Sequence, residues 1–504
     1  MFVFRLVWLC LVPLSLVGAA RAEPIVLTPQ EAVRRALAKN LSLELDRLDP
    51  NLTDVSERIA EAAFQTELFG SADVVGSPGS VSAERIGLDP VRSTNVAGEI
   101  GLRKSFSVGT TLEGRLSTQG LFGGGKNGLD PAYETGLYLQ ARQALLRGLS
   151  RTANEASLTN ARLTRESAAA LLRRQAELVA ASTLKAYWDL RATYAKLAIE
   201  RAALQSAEEI LRETEALIGA GKLPESEKMS AAYAVQLKRR SLLQAEQSLA
   251  NARDRMARII GAVEPSSLAT PELVPASAPR RTAPASWTLE ELQRRAVAER
   301  GDFRALLLAT KMRRTEENAA AHRLLPKLDL VAGLQLVGLS GDAGAGTTSP
   351  YGGGYGSSYA MKRVGWSAGL TLDVPLGNLD ANARRDLAGL QVRRAELSER
   401  IATQDLSLEL NLTWRSLQLA RQQLRLSEES AKVAEAKLAN ETERYKVGKI
   451  TAHILSSVQI EAVTERLARE QALADLVKAV VDMQAASGGL LDRLGLSAEG
   501  EAAP

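Results

Sequence analysis

Apolar residues recur along this chain with two different periods. Leu190, Leu197, Leu204, Leu211 and Ile218 fall every seven residues, and Leu410, Leu417, Leu424, Ala431 and Leu438 do the same. A sustained seven-residue repeat is the seam of a coiled coil. It predicts helices over about 152–218 and 381–446, each roughly 100 Å long at 1.5 Å per residue. The second helix carries a further series, Leu412, Leu419, Leu426 and Val433. Its displacement by two residues is about 200° around a helix, so the two apolar stripes lie on nearly opposite sides. One seam suffices for a two-stranded coil, whereas a helix in a wall needs one for each neighbour.

Both long helices end at a Gly-Lys pair and give way to a returning helix. The reversals are LIGAGKLPESEK, 217–228, and ERYKVGKITAHIL, 443–455. Glycine supplies the positive φ that a helix C-terminus commonly needs, and lysine suits that end of the dipole. The returning helices have heptads of their own: Val235, Leu242, Leu249, Met256, and Ile460, Leu467, Ala474, Val481. The chain therefore contains two long helical hairpins whose tips are the Gly-Lys turns.

Elsewhere the period falls to two, the signature of strands. LDLVAGLQLVG, 328–338, and WSAGLTLDVPL, 366–376, are strands of the second half, separated by a Gly/Ser/Tyr-rich loop. The first half has strands at about 69–75 and 136–144, and two further alternating stretches, NVAGEIGLRKSF and GTTLEGRLST, on either side of a turn at 107–110.

This order of elements occurs twice. LTPQEAVRRALAKN, 27–40, is echoed 260 residues later by WTLEELQRRAVAER, 287–300. In each, a threonine stands three residues before a glutamate, Thr28 with Glu31 and Thr288 with Glu291, which predicts a capped helix start. Gly221 and Gly261 are echoed by Gly448 and Gly488 at an offset of 227. The first repeat spans 23–261, with strands at about 64–145 and a helical hairpin at about 150–261. The second spans 287–496, with strands at about 328–376 and a hairpin at about 381–488. Residues 262–286 contain five prolines and are expected to be an extended linker. A short tail, 497–504, ends the chain.

Composition narrows the class. Hydrophobic residues make up 45% of the 504, enough for a large interior, while aromatics are only 4%, as suits long Ala/Leu-rich helices. The 63 basic and 59 acidic residues are interspersed, and no basic block points to nucleic acid. Residues 1–22, with Arg5, an apolar run and Ala20-Arg21-Ala22, read as a cleaved export signal. Cys10, the only cysteine, lies inside it, so the mature chain is expected to lack disulfides and thiol chemistry. No later segment offers eighteen uninterrupted apolar residues, so any membrane crossing falls to strands.

Chemical candidates are few. GLFGGGKN, 120–127, has the G-x-x-x-x-G-K spacing of a phosphate loop, but Asn127 stands where a magnesium-binding hydroxyl is needed. It reads as a loop between strands. His322 and His453 lack acidic or cysteine neighbours at ligand spacing, so no metal is expected. His453 reads as a solvated helix residue, with a pH-responsive gate as the sharper alternative. Tyr351, Tyr355, Tyr359, Phe69, Phe106, Tyr138 and Trp366 fit either a membrane-interface belt or ordinary loop and strand aromatics. No catalytic constellation is visible, and neither an enzyme nor a cofactor is expected.

The twofold order of helix, strands, long helix, Gly turn and returning helix resembles the TolC-like outer-membrane efflux channels over nearly the whole mature chain. LTPQEAVRRALAKN, WTLEELQRRAVAER, LLPKLDLVAGLQL, QALLRG, DVPLG and RYKVGKIT carry the resemblance. It implies a mainly α protein with a membrane β-barrel, forming a trimeric α-barrel/β-barrel channel. It further implies an outer-membrane location with a large periplasmic portion and service as a passive exit duct. The partners implied are an inner-membrane transporter and a periplasmic adaptor docking at the tips, Gly221, Lys222, Arg444, Val447, Gly448 and Lys449. Two departures stand out. Such chains usually have two strands per half, and the first half here has room for four. The family often places carboxylates six and nine residues beyond the second tip glycine, at the periplasmic gate, where this chain has Ile454 and Ser457. The rival reading, a periplasmic coiled-coil scaffold or adaptor, explains the helices but not the duplicated strands. The alternation in LTLDV predicts that Leu372 faces lipid and Thr371 the lumen.

Overall fold

The computed structural model describes residues 24–77, 93–123, 129–262, 271–279, 287–341, 360 and 363–497. The export signal, Tyr351, Tyr355 and Tyr359, and most of the glycine-rich segment 120–127 lie outside them. Two units share the chain, and they do not coincide with the two repeats. One comprises 1–44, 175–296 and 409–504; the other comprises 45–174 and 297–408.

The first half runs β1 (Ile25–Leu27), α1 (Pro29–Lys39), α2 (Leu41–Asp46), α3 (Leu48–Ala62), β2 (Thr66–Ser77), β3 (Ser93–Ser105), β4 (Thr110–Phe122) and β5 (Ala132–Ala144). It continues with α4 (Arg151–Asn154), α5 (Ala156–Gly219) and α6 (Ser226–Ile259). After β6 (Leu273–Pro275), the second half has α7 (Leu289–Glu299), α8 (Gly301–His322), β7 (Lys327–Gly341), β8 (Arg363–Asp373), α9 (Leu379–Lys446), α10 (Ala452–Ala486) and α11 (Leu490–Leu494). Both repeats open on the same cap: Thr28 accepts from the Glu31 amide at 3.2 Å, and Thr288 from the Glu291 amide at 3.3 Å.

The strands of the second unit form one antiparallel sheet in the order β2-β3-β4-β5-β7-β8. Four come from the first half and two from the second. The turn expected at 107–110 joins β3 to β4, where the Phe106 amide bonds the Thr110 carbonyl and the Gly109 amide returns to the Phe106 carbonyl. The last strand was expected to reach Leu376 but ends at Asp373. Pro375 has no N–H for a ladder, and Gly377 turns the chain at φ +83°.

Register sets two unlike faces on this sheet. One row runs Leu68, Leu102, Gly114, Leu139, Leu334, Trp366, and the next Gly70, Ile100, Leu116, Leu137, Leu336, Val364. Alternate residues form the other face, with rows Glu67, Arg103, Glu113, Gln140 and Phe69, Gly101, Arg115, Tyr138, Gln335. Arg103 pairs with Glu113 at 2.9 Å and stacks over Phe69. Arg115 pairs with Glu99 at 3.2 Å and stacks over Tyr138. Phe69 and Tyr138 thus lie on the polar face, while Trp366 stands on the apolar face.

In the first unit the helical hairpins bury the predicted stripes. Leu190, Leu197, Leu249 and Met256 join a core with Tyr187, Leu27 and Leu273. The linker forms part of it, contrary to the expectation of an extended tether. Leu273–Pro275 is a strand that pairs in parallel with Ile25–Leu27. Tyr194 donates to the Leu273 carbonyl at 2.8 Å and Tyr187 to the Leu27 carbonyl at 3.1 Å, so two aromatic hydroxyls on α5 fasten this short sheet. The Leu27 carbonyl also accepts from the Ala276 amide at 2.9 Å, so Tyr187 adds a second bond there.

The two series on α9 part as the 200° displacement requires. Leu410 and Leu417 are 0% exposed, while Leu412, Leu419, Leu426 and Val433 are 52%, 55%, 59% and 69% exposed in the single chain. In the second unit, Leu45, Leu48, Leu52, Val55 and Ile59 form another exposed stripe at helical spacing along α2 and α3.

Candidate functional site

The two reversals are built alike. Gly221 and Gly448 adopt φ +71° and +70°. At the first, the Lys222 amide reaches the Leu217 carbonyl at 2.9 Å and the Gly221 amide the Ile218 carbonyl at 2.8 Å. At the second, Lys449 reaches Arg444 at 3.0 Å and Gly448 reaches Tyr445 at 2.8 Å. Each pair of bonds satisfies the last helical carbonyls in a Schellman motif, which requires the left-handed residue that glycine supplies. Gly221, Lys222, Arg444, Val447, Gly448 and Lys449 are all exposed. The Arg444 side chain turns back to Glu441 at 2.8 Å.

Behind the tips the hairpins are clasped together. Tyr445, Ile450, Ala452 and Leu455 form an apolar cluster, against which Ile210, Leu217, Leu223 and Leu438 pack. The Tyr445 hydroxyl lies 2.7 Å from Thr214 Oγ1, in a buried bond. Thr214 spends its own proton on the Ile210 carbonyl at 2.6 Å, so Tyr445 is the donor. Burial raises the Tyr445 pKa above the usual 10.0, the Thr214 bond lowers it, and Glu213 and Glu227 add to the rise. The folded state thus favours the protonated phenol. Its contribution is complete below the ordinary tyrosine value and is lost as pH rises through the elevated one.

The second clasp is ionic in character. Thr451 caps α10, accepting from the Ile454 amide, and Glu227 of α6 accepts from the Ala452 amide at 2.8 Å. A carboxylate from the first hairpin thereby satisfies an orphan donor and the dipole at the start of the second hairpin's returning helix. Neither Tyr445 with Thr214 nor Glu227 with Ala452 was visible in the sequence, because partners more than 200 residues apart leave no local pattern. Farther along, Gln459 donates to Ser206 at 2.9 Å, and Lys478 bridges Asp189 and Asp475.

Ile454 and Ser457 lie exposed in the first turns of α10, beside the exposed His453. The Ser457 hydroxyl donates to the Ile454 carbonyl at 2.8 Å, so it is satisfied within its own helix. Among the described residues no group of three or more His, Cys, Asp or Glu could hold a metal ion. No helix among them is long and apolar enough to cross a membrane.

Replacing Tyr445 by phenylalanine removes one donor and leaves Thr214 still bonded to Ile210. The expected loss is about 0.5–1.5 kcal/mol, the net worth of an ordinary hydrogen bond. Glu227→Ala removes a cap and is expected to cost about 1 kcal/mol. Amide hydrogen exchange should quicken in 443–458 in both variants, with the exchange of β7 unchanged.

Solved structures similar to this chain include the outer-membrane channel OprN, the transmembrane channel CusC and the outer membrane protein VceC. OprN matches at a TM-score of 0.66 with 18% identity, covering 92% of this chain and 90% of that one. CusC matches at 0.65 with 14% identity, covering 92% of each. VceC of Vibrio cholerae matches at 0.64 with 15% identity, covering 92% and 96%. The chain therefore shares the fold of these proteins, with long helical hairpins and a six-stranded sheet in one polypeptide. Residues 292–489 match the family model of the outer membrane efflux proteins. No curated protein sequence matches the chain.

Proposed function

We propose that this protein is the outer-membrane exit duct of a tripartite efflux or type I secretion system, acting as a homotrimer. An inner-membrane transporter drives the cargo, and a periplasmic adaptor docks at the hairpin tips. The carrying observation is the apolar series Leu412, Leu419, Leu426 and Val433, exposed along a helix whose opposite side is already buried in its own chain. Such a stripe calls for a neighbouring helix, and a second copy presents complementary stripes of the same period. The sheet supports the same reading. Its apolar face suits lipid and its Arg/Glu-lined face an aqueous lumen, the alternation of a transmembrane barrel.

The experiment is fractionation followed by light scattering. The protein should stay with outer membranes through a high-salt wash and leave detergent extraction as a trimer. Release by salt, or a folded monomer in detergent, would remove this reading in favour of a periplasmic scaffold.

The tips supply a separate test. Lys222 and Lys449 sit at exposed turns whose backbone is held by the Schellman bonds rather than by the lysine side chains. Lys222→Glu combined with Lys449→Glu should leave trimer yield and heat resistance unchanged and abolish export. Crosslinking from cysteines at Ala220 and Val447 to the adaptor should fall in parallel. Export at the normal rate would exclude these lysines from docking.

A further inference from the structure

Among the described residues the sheet has six strands, and neither of its edge strands has a partner on its outer side. β2 offers twelve residues of unpaired backbone on one side and β8 eleven on the other. Within a bilayer, open edges are not tolerated, because no water is present to satisfy their N–H and C=O groups. One chain cannot solve this by itself. Even eight strands leave an interior only wide enough for side chains, and the polar face here carries Arg103, Glu113, Arg115, Tyr138 and Gln140. Closure therefore requires other copies. An even number of antiparallel strands makes β2 and β8 run in opposite directions, so β8 of one copy meets β2 of the next in antiparallel pairing.

We propose that three copies of this chain close an eighteen-stranded wall, each joining its β8 edge to the β2 edge of its neighbour. The inference rests on the trimeric channel reading and adds the strand count. It departs from the two strands per half that the resemblance implies, and the departure lies in the β3-β4 hairpin.

That hairpin belongs to the wall. It sits inside the sheet order, where, among the described residues, β2 pairs with β3 alone and β4 carries β5. Its residues obey the same alternation as the rest. Ile100, Leu102, Leu112 and Leu116 share the apolar face with Leu334 and Trp366, while Glu99, Arg103, Glu113 and Arg115 share the polar one. An appendage lying outside the barrel would have no reason to keep this register.

Strand number sets bore. With strands about 4.8 Å apart and tilted about 40°, eighteen enclose a ring about 36 Å across between backbones, and twelve one of about 24 Å. The exit would be about 1.5 times wider than a twelve-stranded one and would admit correspondingly bulkier cargo.

Single-particle imaging of the full-length protein in detergent tests this directly. The expected result is a trimer whose barrel shows eighteen strands in cross-section. A trimer with twelve, the β3-β4 hairpin lying outside, overturns the proposal while leaving the channel reading intact. A monomer or dimer overturns the channel reading and this proposal with it. Fluorescence gives an independent readout in membranes. Ile100→Trp and Leu116→Trp should add emission that brominated lipid quenches, and Glu99→Trp should add emission that it does not. Absence of quenching at both Ile100→Trp and Leu116→Trp removes the hairpin from the wall.

Discussion

Glutamate in place of Leu412, Leu419 and Leu426 together is expected to leave the protein monomeric in detergent, with its helix content unchanged. All three positions lie on the side of α9 that its own chain leaves open. In the proposed trimer each leucine buried against a neighbour contributes roughly 1.5–3 kcal/mol. Three carboxylates forced into that seam add the cost of burying unpaired charge. Circular dichroism would report the retained helices, and light scattering the lost assembly. Lys432→Glu, at an exposed position on the same helix more than about 100° around from the three leucines, should assemble normally. A trimer that survives the triple substitution would place the intersubunit seam elsewhere.

The second large effect concerns the sheet. Leu334 is the eighth of the fifteen residues of β7, in the apolar row between Leu139 and Trp366. Arginine there should cost about 2–4 kcal/mol, the penalty for a charge at mid-bilayer on the lipid face. Heat-resistant trimer recovered from outer membranes should fall sharply. Gln335→Arg, one residue on, points to the polar face and should assemble. Leu372 also belongs to the apolar face, opposite Leu328, but it stands next to the last residue of β8. Leu372→Arg should therefore cost only about 0–1 kcal/mol, as expected near an interface. Equal yields from Leu334→Arg and Gln335→Arg would contradict the assignment of the faces.

Much of this architecture was legible because it is periodic. The two heptad series on α9 separated into a buried and an exposed side, as their two-residue offset demanded. The tip glycines announced a positive φ, and the alternation around the 107–110 turn revealed a hairpin that the family resemblance alone would not have suggested. Features made by distant partners stayed hidden. Leu273 and Val274 are two apolar residues among five prolines, too few to signal a strand without Ile25–Leu27 beside them. Nothing near Glu227 in the sequence signals its role, because the amide it satisfies belongs to α10. Tyr445 could be placed near the tip but not matched with Thr214. Which face Phe69 and Tyr138 take was not legible, because an aromatic at a strand position says nothing of it. Register decides that, and register here is fixed by the pairing of six strands.

The parallel pairing of Ile25–Leu27 with Leu273–Pro275 bears on how the chain folds as it is made. Synthesis delivers the amino-terminal strand first, yet its partner lies 248 residues later. Closing a loop of that length is slow, because its entropy is lost before the contact repays it. Until the middle of the chain arrives, Leu27 has neither its neighbour Leu273 nor a complete core around it. The early chain must be carried with an unpaired strand and an uncovered apolar cluster, the condition in which nascent proteins depend on chaperones to avoid aggregation. A short sheet of three residues per strand thus times the folding of the first half to the arrival of the linker that follows it.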